Sequence, residues 1–258
     1  MSTAGIREKY GRLCAILEEM GGALVAFSGG VDSTLLAYAA HRTLGGRALA
    51  VTGRSVTLAS SEFEEACDLA RRIGIRHRIA DTSELEVESF GNNPPNRCYF
   101  CKNELYTVLR GIADEENLPV IVDGSNAEDT GDHRPGMTAA RELGVRSPLM
   151  EAGLGKEEIR SLSKEFGLPT WDKPAMACLS SRFPYGDKIT PEKIAQVEKA
   201  EAALRALGFR QLRVRHHGTI ARIEIPREEM PALLSGGLGE DVVRAIKEAG
   251  FTYVALDL

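Results

Sequence analysis

Short apolar runs alternate with amphipathic stretches over the first two-thirds of the chain. The runs at residues 23–27, 47–52 and 119–123 predict strands that are buried on both faces, and residues 75–80 predict a further strand. Apolar residues recur at helical spacing in the stretches between them, at residues 31–44, 60–73, 98–116 and 156–166. This alternation predicts an α/β fold, with a parallel twisted sheet covered by helices on both faces.

The pattern changes near residues 184–187. Thr190 and Pro191 are typical of a helix start, and the helix is predicted to end near residue 207. Two strands, a helix and a last strand are then predicted at residues 211–214, 219–225, 240–249 and 251–256. We therefore predict a first domain at residues 1–186 and a small α+β C-terminal domain at residues 187–258.

Composition and charge narrow the function classes. The 258 residues are ordinary in composition, and no apolar run approaches the length of a membrane span. The first ten residues are polar and of mixed charge, unlike a secretory signal, so we expect a cytoplasmic protein with no membrane partner. The net charge of −5 argues against a stable nucleic-acid partner. A basic stretch at residues 210–217 is either a local patch or a solvated strand face.

A glycine- and serine-rich loop, Ser28-Gly-Gly-Val-Asp-Ser33, separates the first predicted strand from the first predicted helix. Gly29 and Gly30 let the backbone approach an anion, toward which N–H groups and the helix N-terminus point. Both serine hydroxyls can donate to phosphate oxygens, and Asp32 suits an Mg²⁺ ion that bridges to the phosphates. The loop lacks the lysine of a P-loop kinase, so transfer of the terminal phosphoryl group is not indicated. The plainer alternative is a glycine turn.

The five cysteines are odd in number and do not indicate a disulfide framework. Cys98 and Cys101 share one face at the start of a predicted helix, which fits a redox pair, half a zinc site or two core thiols. Cys178 lies in a predicted loop. Three thiolates without an obvious fourth ligand would suit a 4Fe-4S cluster with one open iron. Cys14 and Cys67 fall on apolar helix faces and are predicted to be core thiols.

The loop at residues 28–33 resembles the pyrophosphatase loop of the N-type ATP pyrophosphatases, such as GMP synthetase, NAD synthetase and the tRNA thiolation enzymes. The resemblance implies an adenine nucleotide alpha hydrolase-like fold, ATP cleavage between the α- and β-phosphates, and an adenylated intermediate. It implies these ATP-binding residues: Ala26, Ser28, Gly29, Gly30, Val31, Asp32, Ser33, Val51, Arg54, Gly124 and Asp129. Asp129 and Asp132 are candidate metal ligands, and an acidic helix-capping loop is the alternative.

Four further segments extend the resemblance over nearly the whole chain. They are Asn96-Arg-Cys-Tyr-Phe-Cys-Lys102, Asp123-Gly-Ser-Asn126, Asp132-His-Arg-Pro-Gly136 and Trp171-Asp-Lys-Pro-Ala-Met-Ala-Cys-Leu-Ser-Ser-Arg182. With the loop, they are similar to the LarE family, ATP-dependent sulfur transferases that make the nickel-pincer nucleotide cofactor of lactate racemase. The resemblance implies that a carboxylate of pyridinium-3,5-biscarboxylate mononucleotide is adenylated. Sulfur then replaces AMP and leaves a thiocarboxylate.

The LarE family has two forms, which differ in their cysteines. One form sacrifices the sulfur of a single cysteine, at the position of Cys178. The other form has three cysteines and is thought to use a 4Fe-4S cluster that delivers an added sulfide. Cys98, Cys101 and Cys178 match the second form, and sacrifice of Cys178 stays the alternative.

The same resemblance implies further roles and partners. Ser181, Arg213 and Arg215 match positions that hold substrate or the leaving phosphate, and the two arginines alternate on one predicted strand face. Glu201 and Glu229 match acidic positions near a metal, with solvated helix glutamates as the alternative. The implied cofactors are ATP, Mg²⁺ and the 4Fe-4S cluster. The implied partners are a small-molecule nucleotide substrate, a possible sulfide donor and further copies of the chain in a homo-oligomer.

Three rival functions share the loop. A tRNA thiolation enzyme would need a basic RNA-binding surface, which the acidic balance disfavours. An amidotransferring synthetase would release AMP in the presence of ammonia or glutamine. A nucleotide-binding regulatory protein would bind ATP without turnover.

Overall fold

The computed structural model of the chain describes residues 3–131, 135–175, 177–234 and 237–258. Its strands are β1 (Ala23–Ala26), β2 (Ala48–Arg54), β3 (Arg76–Asp81), β4 (Val120–Val122), β5 (Arg213–His217), β6 (Ile220–Glu224) and β7 (Tyr253–Leu256). Its α-helices are α1 (Thr3–Met20), α2 (Val31–Leu44), α3 (Ser60–Ile73), α4 (Glu88–Gly91), α5 (Arg97–Glu115), α6 (Pro135–Glu142), α7 (Pro148–Glu151), α8 (Lys156–Glu165), α9 (Pro191–Ala206), α10 (Met230–Leu234) and α11 (Leu238–Glu248). Among the described helices we find no apolar stretch of the length that a bilayer requires.

The chain divides into two compact units. The first consists of Met1–Ser55, Ser60–Glu84 and Asn96–Met176, and the second consists of Val56–Ala59, Leu85–Pro95 and Ala177–Leu258. The second unit therefore takes two short segments from the first half of the sequence. The domain boundary between residues 186 and 187 remains a prediction, because compact units need not coincide with independently folding domains.

The first unit is built on a four-stranded sheet in the order β3-β2-β1-β4, and every pair of neighbours is parallel. Successive side chains of a strand point to opposite faces, so Ala23 and Val25 of β1 pack in one apolar cluster and Leu24 packs in another. Helices α1, α2, α3, α7 and α8 contribute to the first cluster, and α5 and α6 contribute to the second. The predicted parallel sheet with helices on both faces is confirmed.

The strand order places a topological switch point beside β1. The chain runs from β1 outward to β2 and β3, and then crosses to β4 on the other side of β1. Open parallel sheets bind ligands at the carboxyl ends of their strands at such a point. The loops that follow β1 and β4 both begin there, so the fold itself favours a ligand site formed by these two loops.

The second unit contains a three-stranded mixed sheet in the order β5-β6-β7. Strands β5 and β6 are antiparallel, whereas β6 and β7 are parallel. Helix α9 packs on β5, and α11 packs on β7 and α9. The predicted start of α9 is confirmed, because the side chain of Thr190 accepts a hydrogen bond from the backbone N–H of Lys193 and Pro191 opens the helix. The predicted small C-terminal α+β part is confirmed.

Candidate functional site

The loop at residues 28–33 is shaped by its glycines and serines. Gly29 has a φ of +70°, a conformation that favours glycine, and Gly30 is the N-cap of α2. The hydroxyl oxygens of Ser28 and Ser33 are 3.1 Å apart, and Ser33 Oγ donates to the Gly30 carbonyl at 3.2 Å. The two serines therefore close the loop into a compact turn at the start of α2, which carries a partial positive charge.

Two glycines are needed because other groups approach them closely. A Cβ on Gly29 would lie 3.0 Å from the Cβ of Ala66 on α3. A Cβ on Gly124, in the loop after β4, would lie 3.0 Å from the backbone nitrogen of Ser33. These contacts hold the loop between α3 on one side and the β4 loop on the other.

We expect Gly124→Ala to weaken ATP binding about tenfold. The added methyl group would displace the Ser33 backbone, and such overpacking costs roughly 1–3 kcal/mol. Gly46→Ala is the matched control, since a Cβ there meets nothing within 4 Å and φ is not positive. The measurement is ATP affinity by titration calorimetry. Equal affinities of the two variants would show that this contact does not shape the nucleotide site.

A cavity of about 530 Å³ opens at the switch point of the first unit. It is lined by the last residue of β1, by residues of the loop and of the segment after β4, and by residues of α5 and α6. They are Ala26, Ser28, Gly30, Asp32, Ser33, Cys98, Lys102, Tyr106, Asp123, Gly124, Ser125, Asp129, Pro135, Gly136 and Met137. Within one unit, the cavity thus brings Cys98 together with seven of the predicted ATP-binding residues: Ala26, Ser28, Gly30, Asp32, Ser33, Gly124 and Asp129.

One part of the cavity wall contains a network around Asp123. Its carboxylate accepts hydrogen bonds from Tyr106 Oη at 3.1 Å, Ser125 Oγ at 3.0 Å and Ser147 Oγ at 2.8 Å. Burial raises the pKa of Tyr106 to about 12, so its hydroxyl stays protonated and donates at neutral pH. The ammonium of Lys102 lies 5.3 Å from the centre of the Tyr106 ring. Asp123 therefore fixes the cavity wall.

Two lysines from distant parts of the sequence contact the loop. Lys156 Nζ donates to Asp32 Oδ2 at 2.5 Å, and Asn126 Nδ2 donates to the other carboxylate oxygen at 3.4 Å. Lys173 Nζ donates to the Gly29 carbonyl at 3.2 Å and to Glu65 at 2.8 Å. Neither lysine was predicted from the sequence. The one signal for Lys173 was its place in the Trp171–Arg182 segment.

Four of the predicted ATP-binding residues, Val31, Val51, Arg54 and Asp129, differ in their surroundings. Val31, the first residue of α2, is 4% exposed and Val51 is 1% exposed, so both side chains belong to the apolar core. Arg54 is exposed at the end of β2, where it makes a two-point ion pair with Asp81 at 2.6 and 3.0 Å. Asp129 accepts a hydrogen bond from the backbone N–H of Asn126 at 3.0 Å. Their roles in ATP binding, and that of Asp129 as a metal ligand, stay predictions.

The cysteines are distributed over both units. Cys98 and Cys101 lie in the first turns of α5, where Cys98 is exposed and Cys101 is partly buried. Cys178 is exposed in the second unit. None of the five cysteines forms a disulfide, and Cys14 and Cys67 are partly rather than fully buried. Asp132, the other candidate metal ligand, lies outside the described residues.

In the second unit, Arg182 organises the segment that contains Cys178. The guanidinium is 2% exposed and donates to the carbonyl oxygens of Ala177 at 2.8 Å and Cys178 at 3.3 Å, and to Ser181 Oγ at 2.9 Å. Cys178 Sγ lies 2.9 Å from Ser180 Oγ. A single buried cation thus fixes the backbone on which Cys178 and Ser181 lie.

Glu201 is the counter-ion of Arg182. It is completely buried, and its carboxylate accepts hydrogen bonds from Arg182 at 2.7 and 3.2 Å, from Arg205 at 2.9 Å and from the Val214 N–H at 3.0 Å. The alternative of a solvated helix glutamate is wrong for Glu201, because two arginines and α9 enclose it. Glu229 is partly buried in a 3₁₀ turn, Arg227–Glu229. Metal binding by either residue stays a prediction.

An arginine cluster lies on one face of the mixed sheet. Arg213 and Arg215 alternate with buried residues on β5, as the sequence analysis predicts. Arg215 makes a two-point ion pair with Glu224 at 2.8 and 2.9 Å and donates to the Ser181 carbonyl at 2.7 Å. Arg222 also donates to Glu224 at 3.1 Å. Burial would raise the pKa of Glu224, but the bonds and charges of these arginines lower it, so the carboxylate stays ionised.

Each unit thus brings together part of the predicted site. The first joins the loop and Cys98 at one cavity. In the second, Ser181 donates its N–H to the Cys178 carbonyl at 2.9 Å and accepts a bond from Arg215 at its own carbonyl. Over the described residues, neither unit contains a group of three or more His, Cys, Asp or Glu side chains placed to hold a metal ion. The assignment of all three cysteines to one cluster stays a prediction.

Comparisons with known proteins extend these observations. No protein-family model matches the chain. An uncharacterized protein of Synechocystis sp. is 46% identical over 254 residues, which cover 98% of this chain and 94% of that protein. The pyridinium-3,5-bisthiocarboxylic acid mononucleotide synthase of Lactiplantibacillus plantarum is 39% identical over 256 residues, covering 99% and 92%. One subunit of the glutamine-hydrolyzing GMP synthase of Methanopyrus kandleri is 26% identical over 201 residues, covering 70% and 61%.

Proposed function

Because the chain belongs to the LarE family of pyridinium-3,5-bisthiocarboxylic acid mononucleotide synthases, we propose that it uses ATP to convert a carboxylate of pyridinium-3,5-biscarboxylate mononucleotide to a thiocarboxylate. The observation that carries the proposal is the cavity of the first unit, which the loop and Cys98 line together. The reaction requires that ATP activates the substrate carboxylate close to a residue that bears sulfur.

The proposed first step is adenylation. A carboxylate oxygen of the substrate attacks the α-phosphorus of ATP, and the bond to the bridging oxygen breaks so that pyrophosphate leaves. The backbone N–H groups of the loop and the start of α2 stabilise the negative charge that develops on the phosphates. Asp32 and Asp129 both line the cavity and offer the oxygen ligands that Mg²⁺ prefers, so they are the residues that would hold it.

The proposed second step replaces AMP by sulfur. A sulfur nucleophile attacks the acyl carbon, and AMP leaves with the electron pair of the carbon–oxygen bond, which yields the thiocarboxylate. Arg213 and Arg215 carry positive charge on one strand face and would hold the anionic substrate or the departing phosphate. Ser181, whose hydroxyl accepts from Arg182 and whose carbonyl accepts from Arg215, would act beside them.

The cysteines present fit the three-cysteine form of the family. Cys98, Cys101 and Cys178 are reduced thiols, and the first two lie one helical turn apart on α5. They are the residues that would hold a 4Fe-4S cluster, whose open iron would supply a carried sulfide. Sacrifice of the Cys178 sulfur is the second candidate route, which the exposure of this thiol favours.

The test is a reconstituted reaction with the full chain, ATP, Mg²⁺, sulfide and pyridinium-3,5-biscarboxylate mononucleotide. We expect substrate-dependent release of pyrophosphate and AMP, and mass spectrometry should detect exchange of one carboxylate oxygen for sulfur. Two parallel reactions are run for comparison. In the first, tRNA replaces the mononucleotide substrate, and in the second, ammonia replaces the sulfide. Pyrophosphate release that depends on tRNA, or AMP release that depends on ammonia, would replace the proposal by one of its rivals.

A further inference from the structure

The segment that contains Cys178 has little regular structure of its own. Residues 177–189 are all described, and they form one short 3₁₀ turn, Leu179–Arg182, and no strand. The backbone polar groups of such a segment must find partners elsewhere in the chain, because no regular ladder of hydrogen bonds supplies them. Arg182 binds the carbonyls of Ala177 and Cys178 at the beginning of the segment. The part that follows Arg182 needs an anchor of its own.

Asn93 provides this anchor from a segment 90 residues earlier in the chain, which belongs to the same unit. Its side-chain nitrogen donates to the carbonyl of Pro184 at 2.7 Å and to that of Phe183 at 3.4 Å. Its backbone carbonyl accepts a hydrogen bond from the N–H of Gly186 at 2.9 Å. Asn93 is completely buried, so these bonds are shielded from water. The loss of the amide would leave buried carbonyls without this donor.

The backbone conformation of Asn93 explains why an asparagine suits this position. Its φ is +52°, in the left-handed region that asparagine adopts more readily than most other residues with a side chain. Glycine would adopt this φ more easily but has no side-chain donor. Aspartate would tolerate it but would offer only acceptor oxygens to the carbonyls of Phe183 and Pro184. Asparagine therefore combines the required backbone conformation with the N–H donors that these carbonyls need.

We propose that Asn93 is a positioning residue for sulfur transfer, which acts by holding the backbone that follows the Leu179–Arg182 turn. Arg182 holds the backbone before this turn, so the two side chains together fix the orientation of Cys178 and Ser181. Asn93 acts only through this backbone and is not assigned a contact with a reacting atom. The inference rests on the proposed function, which assigns sulfur transfer to Cys178. Displacement of a reacting group by about 1 Å can lower a rate by a factor on the order of 10².

The experiment replaces Asn93 by glycine, which keeps the left-handed backbone and removes the side-chain donors. At saturating substrate, Asn93→Gly is expected to form thiocarboxylate roughly 10- to 100-fold more slowly than the wild type. Pyrophosphate release should stay within about twofold, because adenylation is proposed to depend on the loop of the first unit. The matched control is Asn117→Gly. Asn117 has a φ of +53° but is exposed, so both rates should be close to those of the wild type.

A second variant and a second measurement test the positioning itself. Asn93→Asp keeps the shape of the side chain but places acceptor oxygens against the carbonyls of Phe183 and Pro184, so it should slow sulfur transfer more than Asn93→Gly does. Amide hydrogen exchange is measured by mass spectrometry on the full chain without ligand. Over residues 177–189, exchange should be several-fold faster in both Asn93 variants than in the wild type and in Asn117→Gly.

The outcomes separate this inference from the proposed function. If the wild type forms no thiocarboxylate, both fall. If the wild type forms it and Asn93→Gly behaves like Asn117→Gly, only the role of Asn93 falls. An equal loss of pyrophosphate release, or unchanged exchange over residues 177–189, would likewise overturn the positioning role. Asn93→Ser, which keeps a hydroxyl donor and fills more of the site than glycine does, is used if Asn93→Gly does not fold.

Discussion

Replacing Cys178 by serine is expected to lower thiocarboxylate formation by a factor on the order of 10³ or more, as the loss of a residue that carries the reacting atom does in other enzymes. Pyrophosphate release should stay within about twofold of wild type, because adenylation is proposed to depend on the loop of the first unit. The thiol is exposed and contacts Ser180 Oγ, so a hydroxyl can replace it without loss of core packing. Pyrophosphate is measured by a coupled assay and the product by mass spectrometry.

The matched control is Cys67→Ser, which removes a partly buried thiol on α3 and should leave both readouts near wild type. Undiminished sulfur transfer by Cys178→Ser would remove this residue from the mechanism. A Cys98→Ser variant distinguishes the two candidate routes. A cluster held by three thiols predicts that this variant loses both sulfur transfer and the iron bound on anaerobic reconstitution. Sacrifice of Cys178 alone predicts one unimpaired turnover.

Arg182→Met is expected to lower the free energy of unfolding by about 3 kcal/mol, because removal of one partner of a buried ion pair leaves the other charge poorly compensated. Glu201 would keep Arg205 and the Val214 N–H. The carbonyl of Ala177 would lose the Arg182 guanidinium as its donor, and that of Cys178 would keep the Ser181 N–H. The effect should appear as a lower midpoint of urea unfolding with an unchanged slope.

The control for this prediction is Arg244→Met in the same unit. Arg244 pairs with Asp241 on α11, and both side chains are largely exposed, so its loss should cost less than about 0.5 kcal/mol. Similar losses for the two variants would mean that Arg182 contributes no more than a surface ion pair. A large loss for Arg182→Met alone would identify the Arg182–Glu201 pair as the anchor of the Cys178 segment.

The sheet and its loop were predictable because their signals are local. Apolar runs ended by glycine predicted β1, β2 and β4, and the helix bounds Val31–Leu44 and Ser60–Ile73 were found as predicted. Helix α1 had the same kind of signal but was not predicted. Ile6, Tyr10, Leu13 and Leu17 recur every three or four residues, and all of them pack in or against the first apolar cluster.

Contacts between distant segments of the chain were not predictable from spacing. Nothing in the neighbourhood of Lys156 indicates that it pairs with Asp32, which is 124 residues away. In the sequence, Glu201 resembles an ordinary helix glutamate, because α9 is polar on several faces. Only the tertiary structure buries Glu201 against Arg182. The strand β5 was predicted two residues early, since the arginines of Arg213–His217 obscured its alternation.

The second unit is built from three separate segments of the chain, so it can be completed only after its last segment has been synthesised. Asn93 donates to the carbonyls of Phe183 and Pro184, some 90 residues further along the chain, and its own carbonyl accepts from Gly186. At a translation rate of roughly 5–20 residues per second, the segment Leu85–Pro95 waits several seconds for these partners to leave the ribosome. During that interval the segment is accessible to chaperones and proteases. A chain cut after residue 186 would lack β5, β6 and β7, the strands of the unit to which this segment belongs.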